Sequence, residues 1–183
     1  MIKSFLKPIA VAMMLTGAGS VYATTTNLGN VNSATPTSFS GSVLSAGAFN
    51  DIFSFVLPSN SGSGYDIHNL PIGIPGTGNF NTLLSSVSLF SNADGILFNS
   101  DDIFLQSFAV PGGSGASFTW GPGIAGNMYL SVSGVANGSL GGVYNGAISV
   151  SAVPEPETYA MLLAGLAIVG AIARRKTVEH TAH

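Results

Sequence analysis

The sequence predicts an all-β protein, an antiparallel β-sandwich of the jelly-roll type with about 7–9 short strands. Short apolar runs with a period of two recur at roughly 8 to 12 residue spacing, which is typical of half-buried strands. Loops rich in glycine, proline and asparagine separate these runs. Longer apolar segments occur only at the two ends of the chain. There we expect an N-terminal signal helix and a single C-terminal transmembrane helix.

The N-terminal segment, residues 1–23, has the pattern of a secretory signal peptide. Lys3 and Lys7 form a positive region, Pro8 to Leu15 form an apolar region, and Val21-Tyr22-Ala23 is a small-residue cleavage site. We expect the Sec translocon to export the chain and signal peptidase to cut after Ala23. An uncleaved amphipathic N-terminus is the alternative.

The segment between the two ends, residues 24–152, is long enough for one secreted domain with a core. It contains no lysine and no arginine, and its charged side chains are five aspartates. Because electrostatic binding to nucleic acid or anionic lipid needs cations, we exclude both as partners of this domain. The chain has no cysteine, which excludes disulfides, thiolate nucleophiles and zinc–thiolate sites. The neutral, hydrogen-bonding surface suits hydrated matrices or self-association.

The first strands of the domain are predicted from a change in composition. Residues 24–37 are polar and aperiodic, so we expect an exposed lead-in and a first strand near Ser38 to Leu44. The next strand, Gly47 to Leu57, is strongly apolar. Since successive strand side chains point to opposite faces, alternate residues of this strand should face the core. They are Phe49, Asp51, Phe53, Phe55 and Leu57.

Asp51 is the charged member of this apolar row. A buried carboxylate without partners costs on the order of several kcal/mol. We expect Asp51 to accept backbone N–H groups as the cap of a neighbouring loop, because this is the more common solution. A bound metal ion, or a position at the wet end of the sheet, is the alternative.

Residues 58–79 are rich in glycine, proline, serine and asparagine, and they predict a long loop without regular structure. Loops of this length usually have a function or are disordered. His68, the only histidine of residues 24–152, lies here close to Asp66. It could carry a proton or bind a metal, but a solvent-exposed loop histidine is the more common case.

Two turn signals on either side of Ile96–Phe98 contain several side-chain oxygens. Calcium prefers carboxylate and amide oxygens, although this spacing is not that of an EF-hand loop. Asx turns use the same residues for backbone hydrogen bonds and are more common. Both interpretations stay open, and calcium is the only cofactor that we consider. The candidate ligands are Asn92, Asp94, Asn99, Asp101 and Asp102.

The remaining strands follow at short intervals. In the fourth of them, Met128, Leu130 and Val132 alternate with more polar residues, as expected for a half-buried strand. Loops built of chain-reversing residues separate the strands. The five predicted strands are Leu83–Leu89, Ile103–Val110, Ala116–Trp120, Asn127–Gly134 and Gly142–Val150.

Residues 24–152 lack the groups that enzyme chemistry requires, which are a nucleophile with a base, paired carboxylates in a cleft, or a metal. His68 is the only histidine base, and no glycine-rich loop leads into a helix. Asp101 and Asp102 are adjacent in a turn, whereas a glycosidase needs a separated acid and base. We therefore expect a protein that is not an enzyme.

The C-terminal segment, residues 153–176, has three features in a fixed order. Pro154-Glu155-Pro156 comes first, followed by the uncharged run Thr158–Ala173 and the basic cluster Arg174-Arg175-Lys176. As a helix, the sixteen residues of the run span roughly 24 Å. This is short of a hydrocarbon core of about 30 Å, so the predicted transmembrane helix is marginal as a permanent anchor.

These ordered features resemble the PEP-CTERM sorting signal of Gram-negative bacteria that make exopolysaccharide. The resemblance implies that exosortase, an integral-membrane enzyme similar to a transpeptidase, recognises and removes the tail. Positive flanks stay on the cytoplasmic side, so residues 24–152 face outward and residues 177–183 form a cytoplasmic tail. Family members usually end soon after the basic cluster, and this tail is a departure from their pattern.

Two further resemblances concern the domain itself. Phe49, Asp51 and Phe53 resemble the signature of FxDxF-type PEP-CTERM proteins. The order DIFSFVLP, SLFSNADGILF, MYLSVSG and VYNGAISV resembles the bacterial pre-peptidase C-terminal domain, a β-sandwich that is appended to secreted hydrolases.

Together these observations predict an exported protein that is held transiently in the inner membrane, with its domain in the periplasm. Exosortase then releases it to the cell surface or to the extracellular matrix, where it is a structural component associated with exopolysaccharide, as in a biofilm. The alternative is a carbohydrate-binding or adhesion module. In that case Trp120, Tyr65 or Tyr129 would stack on a sugar, with calcium at the acidic turns.

Overall fold

A computed structural model of the chain describes residues 22–59, 61–121, 125–152 and 156–179. Within these ranges the chain forms eleven strands, one long helix and a short 3₁₀ helix at Pro111–Gly113. The strands and the long helix are β1 Thr25–Asn30, β2 Thr37–Val43, β3 Gly47–Leu57, β4 Ser61–Asn69, β5 Ile72–Ile74, β6 Gly78–Phe80, β7 Thr82–Ser91, β8 Ile103–Ala109, β9 Gly115–Trp120, β10 Gly126–Ala136, β11 Gly142–Ala152 and α1 Pro156–Glu179.

The strands form two main sheets and a separate hairpin. Sheet A has the order β1-β3-β10-β7-β8, sheet B has the order β2-β11-β4-β9, and β5 pairs with β6. The strand pairs are antiparallel except for β1 and β3, which run parallel. The prediction of a mostly β protein with one C-terminal helix is confirmed, and the parallel pair is a difference from the predicted antiparallel pattern.

The core lies between the inner faces of sheets A and B. All five inward residues of β3 are at most 2 % exposed, as the alternating pattern predicts. Aromatic pairs join the two sheets: Phe55 of β3 faces Tyr65 of β4 with ring centroids 6.1 Å apart. Phe108 of β8 stacks on Phe118 of β9 at 3.7 Å. These contacts show which face of each sheet is turned toward the core.

Two glycines inside the strands of sheet B lie opposite aromatic residues. Tyr144 of β11 pairs with Gly41 of β2, and Phe39 of β2 pairs with Gly146 of β11. A Cβ atom at either glycine would overlap the facing aromatic ring. The missing side chains therefore let each ring lie across the neighbouring strand and fill the core there.

Two stretches that the sequence predicts as irregular contain strands, so both predictions are wrong. Residues 24–37 contain β1, which has no fully buried side chain and therefore no apolar period. Backbone pairing with β3 holds it in place. Residues 58–79 contain β4, a central strand of sheet B, and the β5–β6 hairpin. In β4, Tyr65 and Ile67 are buried, but the glycines around them conceal this pattern in the sequence.

Helix α1 covers the apolar segment for which the sequence predicts a transmembrane helix over residues 158–173. It begins at Pro156, where proline fits because the first turn of a helix leaves its N–H groups unpaired. The side chains from Glu157 to Gly170 are all exposed. Among the residues that the structure describes, no helix is both long and apolar enough to cross a membrane. The predicted signal helix falls on residues 1–21, outside the described ranges.

Candidate functional sites

The sorting segment is partly described. Pro154 and Glu155 lie outside the described ranges, whereas Pro156 is the first residue of α1. The helix continues through Arg174-Arg175-Lys176 to Glu179, beyond the predicted end of the apolar run. Large apolar side chains cover the described part of α1, and their exposed fractions reach 75 % at Met161. Exposed apolar surface of this extent marks a site of contact with a protein or a membrane.

Asp51 lies at the centre of the core, where it is 1 % exposed. Its Oδ1 accepts hydrogen bonds from the backbone N–H of Thr24 at 2.9 Å and from the Thr24 hydroxyl at 2.7 Å. Its Oδ2 accepts a hydrogen bond from the hydroxyl of Tyr144, on the opposite sheet, at 2.6 Å. The backbone contact with Thr24 is of the kind that we expect for this carboxylate.

The two phenylalanines beside Asp51 hold the Tyr144 ring in place. Phe49 stacks on Tyr144 with ring centroids 5.3 Å apart, and Phe53 meets the same ring edge-on at 6.3 Å. Burial, followed by the contact with Asp51, raises the pKa of Tyr144 far above its ordinary value. The side chain of Tyr144 is therefore enclosed by the row Phe49, Asp51 and Phe53 of the opposite sheet.

Ala23, the predicted cleavage position, is exposed at the start of the described chain. Tyr22 before it forms a parallel bridge with Phe49. The carbonyl of Thr24, after the cleavage position, accepts a hydrogen bond from the N–H of Ile52 at 2.7 Å. The two sides of this peptide bond are therefore held to β3 by separate hydrogen bonds.

The connection between β7 and β8 brings the five candidate calcium ligands into one segment. Three of their side chains accept backbone N–H groups of the same segment at distances of 2.6–2.9 Å. The pairs are Asn92 with Gly95, Asp94 with Ile96, and Asp102 with Phe98. Asn99 Nδ2 also donates to Asp94 Oδ2 at 2.9 Å, and the Asn99 Oδ1 accepts from the Asp101 N–H at 3.3 Å. These are the contacts of Asx turns.

Asp102 differs from the other ligands of this segment because it also contacts the sheet. Its Oδ2 accepts a hydrogen bond from the Tyr129 hydroxyl at 3.1 Å, whereas its Oδ1 is buried without a partner. Burial and the neighbouring carboxylate raise the pKa of Tyr129 far above its ordinary value. In the described ranges, no group of three or more His, Cys, Asp or Glu residues is arranged to hold a metal ion. Calcium at this segment stays a prediction.

Of the three aromatic residues that we expected to stack on a sugar, Tyr65 and Tyr129 are each 3 % exposed and are closed to a ligand. Trp120 is half-buried, and stacking of a sugar on it stays a prediction. Instead, the structure exposes two phenylalanines near the acidic segment, Phe98 by 68 % and Phe104 by 56 %. Phe98 sits in the left-handed region at φ 65°, and its ring packs against Tyr129 at 5.9 Å. The signal in the sequence for exposed apolar side chains here was the short apolar run Ile96-Leu97-Phe98 between two polar turns.

His68 lies on β4 and not in a loop, but it is exposed to solvent, which agrees with the more common interpretation of this residue. Its Nε2 is 2.6 Å from Asp66 Oδ1, and the two side chains are 57 % and 51 % exposed. A polar contact this open to water contributes only about 0–1 kcal/mol to stability.

Comparison with known proteins identifies the C-terminal segment. Residues 152–176 match the family described as the PEP-CTERM protein-sorting motif, which confirms the resemblance predicted for the tail. Such a motif marks an exported protein that an exosortase sorts and that the membrane holds transiently. A comparison with curated proteins gives no significant match.

Three solved structures are similar to the domain at low identity. The first is PliG from Aeromonas hydrophila, a periplasmic lysozyme inhibitor of g-type lysozyme, with a TM-score of 0.44 and 12% identity over 72% of this chain and 100% of that chain. The second is the pre-peptidase C-terminal domain of collagenase from Bacillus anthracis, with a TM-score of 0.35 and 17% identity over 69% of this chain and 94% of that one. The third is CorA from Methylomicrobium album BG8, a surface-associated copper-binding protein, with a TM-score of 0.39 and 10% identity over 74% of this chain and 100% of that one.

Proposed function

We propose that this protein is a non-catalytic structural component of the cell surface or of the extracellular polysaccharide matrix, and that its tail is removed by an exosortase-type enzyme. The observation that carries the proposal is the match of residues 152–176 to the sorting motif. The tail is presented on a helix whose described side chains are all exposed, as a substrate for a membrane enzyme should be.

The two ends of the chain define the route. The Sec translocon exports the chain, signal peptidase cuts after Ala23, and the apolar segment of α1 holds the chain at the inner membrane. The basic cluster Arg174-Arg175-Lys176 stays on the cytoplasmic side, because positive flanks resist translocation. Its long side chains reach along the apolar surface to the interface, which offsets the shortness of the apolar run. Residues 24–152 therefore face the periplasm until the tail is cut.

The Pro154-Glu155-Pro156 sequence places the processing site above the membrane. Proline cannot continue a helix from its middle, and the residue before a proline favours extended backbone. We therefore expect the two prolines to favour extended backbone before the helix and to present Glu155 to the enzyme.

The surface of the sandwich suits a hydrated, neutral matrix. On the outer face of sheet A, Ser88 bonds to Ser107 at 2.9 Å and Ser131 donates to Asn50 at 2.7 Å. Such rows of hydroxyl and amide groups can exchange hydrogen bonds with glycan hydroxyls. Because residues 24–152 contain no lysine or arginine, they attract no anionic polymer directly. An acidic polysaccharide would need a bridging divalent cation.

The test of this proposal replaces Pro154-Glu155-Pro156 with three alanines in the full chain. We expect an uncleaved form that stays in the inner membrane fraction, whereas the unchanged chain loses its tail and leaves that fraction. Pro36→Ala, in an exposed loop before β2, is the matched control and should be processed normally. A mass spectrum that shows the alanine variant processed like the unchanged chain would contradict the proposal. So would retention of the unchanged chain in the inner membrane both without and with exosortase.

A second candidate function is a carbohydrate-binding or adhesion module at the acidic segment between β7 and β8. The exposed rings of Phe98 and Phe104 lie near the acidic segment, where Asp102 has a buried Oδ1 without a hydrogen-bond partner. Apolar ring faces stack on sugars, and calcium at the carboxylates would orient sugar hydroxyls. This arrangement favours a glycan ligand at that end of sheet A.

A glycan array distinguishes the two functions. A carbohydrate-binding module should bind matrix glycans in the presence of calcium and lose at least tenfold in affinity with a chelator or with Phe98→Ala. Leu44→Ala is the matched control, because Leu44 is 82 % exposed in the turn between β2 and β3. If the protein binds no matrix glycan, the carbohydrate-binding function is wrong and the structural function is favoured.

A further inference from the structure

Asp51 is buried, and no cationic side chain pairs with it among the described residues. Residues 24–152 contain no lysine or arginine that could pair with this carboxylate. Buried carboxylates are normally paired or fully hydrogen-bonded, because an isolated buried charge is costly. Two of the three hydrogen bonds to Asp51 come from one residue, Thr24, and the third comes from Tyr144.

Thr24 is the residue that follows the predicted cleavage position. Hydrolysis of the Ala23–Thr24 peptide bond consumes one water and leaves a carboxylate on Ala23 and an amino group on Thr24. An α-amino group has an ordinary pKa of about 7.7–8.0, so at neutral pH it takes up a proton and becomes an ammonium ion. The nitrogen that becomes this ion is the one that lies 2.9 Å from Asp51 Oδ1.

We propose that Asp51 is the binding site for the α-ammonium group that signal-peptide cleavage creates at Thr24. Before cleavage, the Thr24 nitrogen is a neutral amide with one N–H group. After cleavage it carries a positive charge and three N–H groups at the same position. The pair supplies the counter-ion of the buried carboxylate, and it forms only after the signal peptide has been removed.

The position of the Thr24 nitrogen does not depend on the residues that leave. The Thr24 carbonyl accepts a hydrogen bond from the Ile52 N–H at 2.7 Å, and β1 pairs with β3 directly after it. These contacts lie on the retained side of the cut. Tyr22, on the other side, loses its two backbone hydrogen bonds with Ala48 and Asn50, at 3.0 and 2.8 Å. Cleavage therefore exchanges two strand hydrogen bonds for one charge pair between the exposed Thr24 and the buried Asp51.

The inference rests on cleavage after Ala23 and not on the fate of the tail. The N-terminal mass of the exported protein tests the cleavage position separately. The function proposed above could fail while this pair forms, and the pair could be absent from a correctly sorted protein.

The test compares the chain from Thr24 to His183, in mild detergent, with the same chain acetylated at Thr24. Acetylation keeps one N–H donor at the nitrogen, as in the precursor, and removes the charge together with the two N–H groups that cleavage adds. Trp120, the single tryptophan, reports urea unfolding by its fluorescence. We expect acetylation to lower the folding equilibrium constant at least tenfold at pH 7, which corresponds to about 1.4 kcal/mol.

Two variants locate the effect. In Asp51→Asn, the neutral amide cannot pair with the ammonium ion, so acetylation should change the folding constant less than twofold. In Asp66→Asn, the matched control, the full effect of acetylation should remain, because Asp66 is half-exposed and pairs with His68. Equal folding constants for the free and acetylated chains at pH 7 would overturn the proposal.

The pH profile keeps the proposal testable if Asp51→Asn does not fold. The neighbouring carboxylate raises the pKa of the amino group in the folded state. The advantage of the free chain over the acetylated chain should therefore be complete below about pH 7.7 and should disappear as the pH rises through the higher, folded-state pKa. Tyr144 is the titratable side chain that contacts Asp51 from the opposite sheet, and burial keeps it neutral in this range. Parallel stability profiles of the two chains would contradict the pair.

Discussion

The hydroxyl of Tyr144 and the carboxylate of Asp51 depend on each other for hydrogen bonding inside the core. The Tyr144 side chain is completely buried, between Phe49 and Phe53 and across Gly41. Its hydroxyl donates the only side-chain hydrogen bond that Asp51 receives from sheet B among the described residues. This bond connects the two sheets at a polar point within an apolar core.

Tyr144→Phe should destabilise the protein by about 1–3 kcal/mol, because it leaves the Oδ2 of Asp51 buried without a donor. Urea unfolding followed by Trp120 fluorescence measures this loss. Tyr159→Phe, on the exposed part of α1, is the control and should change stability by less than about 0.5 kcal/mol. Equal small effects of the two variants would show that the Asp51–Tyr144 bond is not needed.

Buried tyrosines should also make the protein sensitive to alkaline pH. Burial raises the pKa of Tyr65 to about 12, and it raises the pKa of Tyr144 further. Because these folded-state values exceed the ordinary tyrosine value of about 10, their contribution to stability is complete below pH 10 and is lost as the pH rises toward 12. Stability measured from pH 9 to pH 12 should fall steeply, and Tyr65→Phe should reduce the slope. A flat profile would contradict this account.

At the scale of elements, three asparagines connect the main sheets near the β5–β6 hairpin. Asn69 at the end of β4 donates to Asn81 at 2.8 Å, and Asn81 donates to Asn137 after β10 at 2.6 Å. The Asn69 Oδ1 accepts from the N–H of Thr82 at 2.9 Å. The chain therefore crosses from sheet B to sheet A at a point that side-chain amides hold together.

Asn81→Ala should destabilise the protein by about 1–2 kcal/mol, because the variant removes two side-chain hydrogen bonds, one with the half-buried Asn69 and one with the exposed Asn137. Thermal unfolding measures the loss. Asn145→Ala, an exposed asparagine of β11, is the control and should have little effect. A loss no greater than that of the control would show that the hairpin is held by its backbone alone.

The sequence predicts the apolar strands well and the polar strands badly, for a physical reason. Strands β3 and β10 bury every second side chain, so an alternating pattern is visible in the sequence. Strand β1 is an exposed edge strand held by backbone hydrogen bonds, which leave no trace in side-chain composition. In β4 the glycines at 62 and 64 suggest a loop. In the structure, Gly62 and Gly64 instead leave space for Ser151 and Ser149 of the neighbouring strand.

The candidate sites were predictable to different degrees. The ordered features of residues 152–176 identify the sorting motif from sequence alone. The partner of Asp51 could not be predicted, because Thr24 and Tyr144 are 27 and 93 residues away along the chain. The exposure of Phe98 depends on its backbone conformation, a left-handed residue in a turn, and neither periodicity nor composition reports that.

At the scale of the whole molecule, the lysine and arginine side chains are separated from the exported domain, residues 24–152. Lysine and arginine occur only in the two terminal segments, which direct export and membrane orientation, whereas residues 24–152 carry only negative charge. Removal of both ends would therefore leave five aspartates, a new N-terminal ammonium group and a new C-terminal carboxylate as charged groups of the domain, in addition to the titratable His68. Such a molecule would stay soluble in a hydrated matrix without binding nucleic acid.

The central claim is that both ends are removed during export, so the intact mass of the protein recovered from the cell surface and culture fluid tests it most directly. The account predicts a mass that begins at Thr24 and ends close to Pro154-Glu155-Pro156, without α1. A mass that still includes residues 1–23 and α1 in that protein would contradict it.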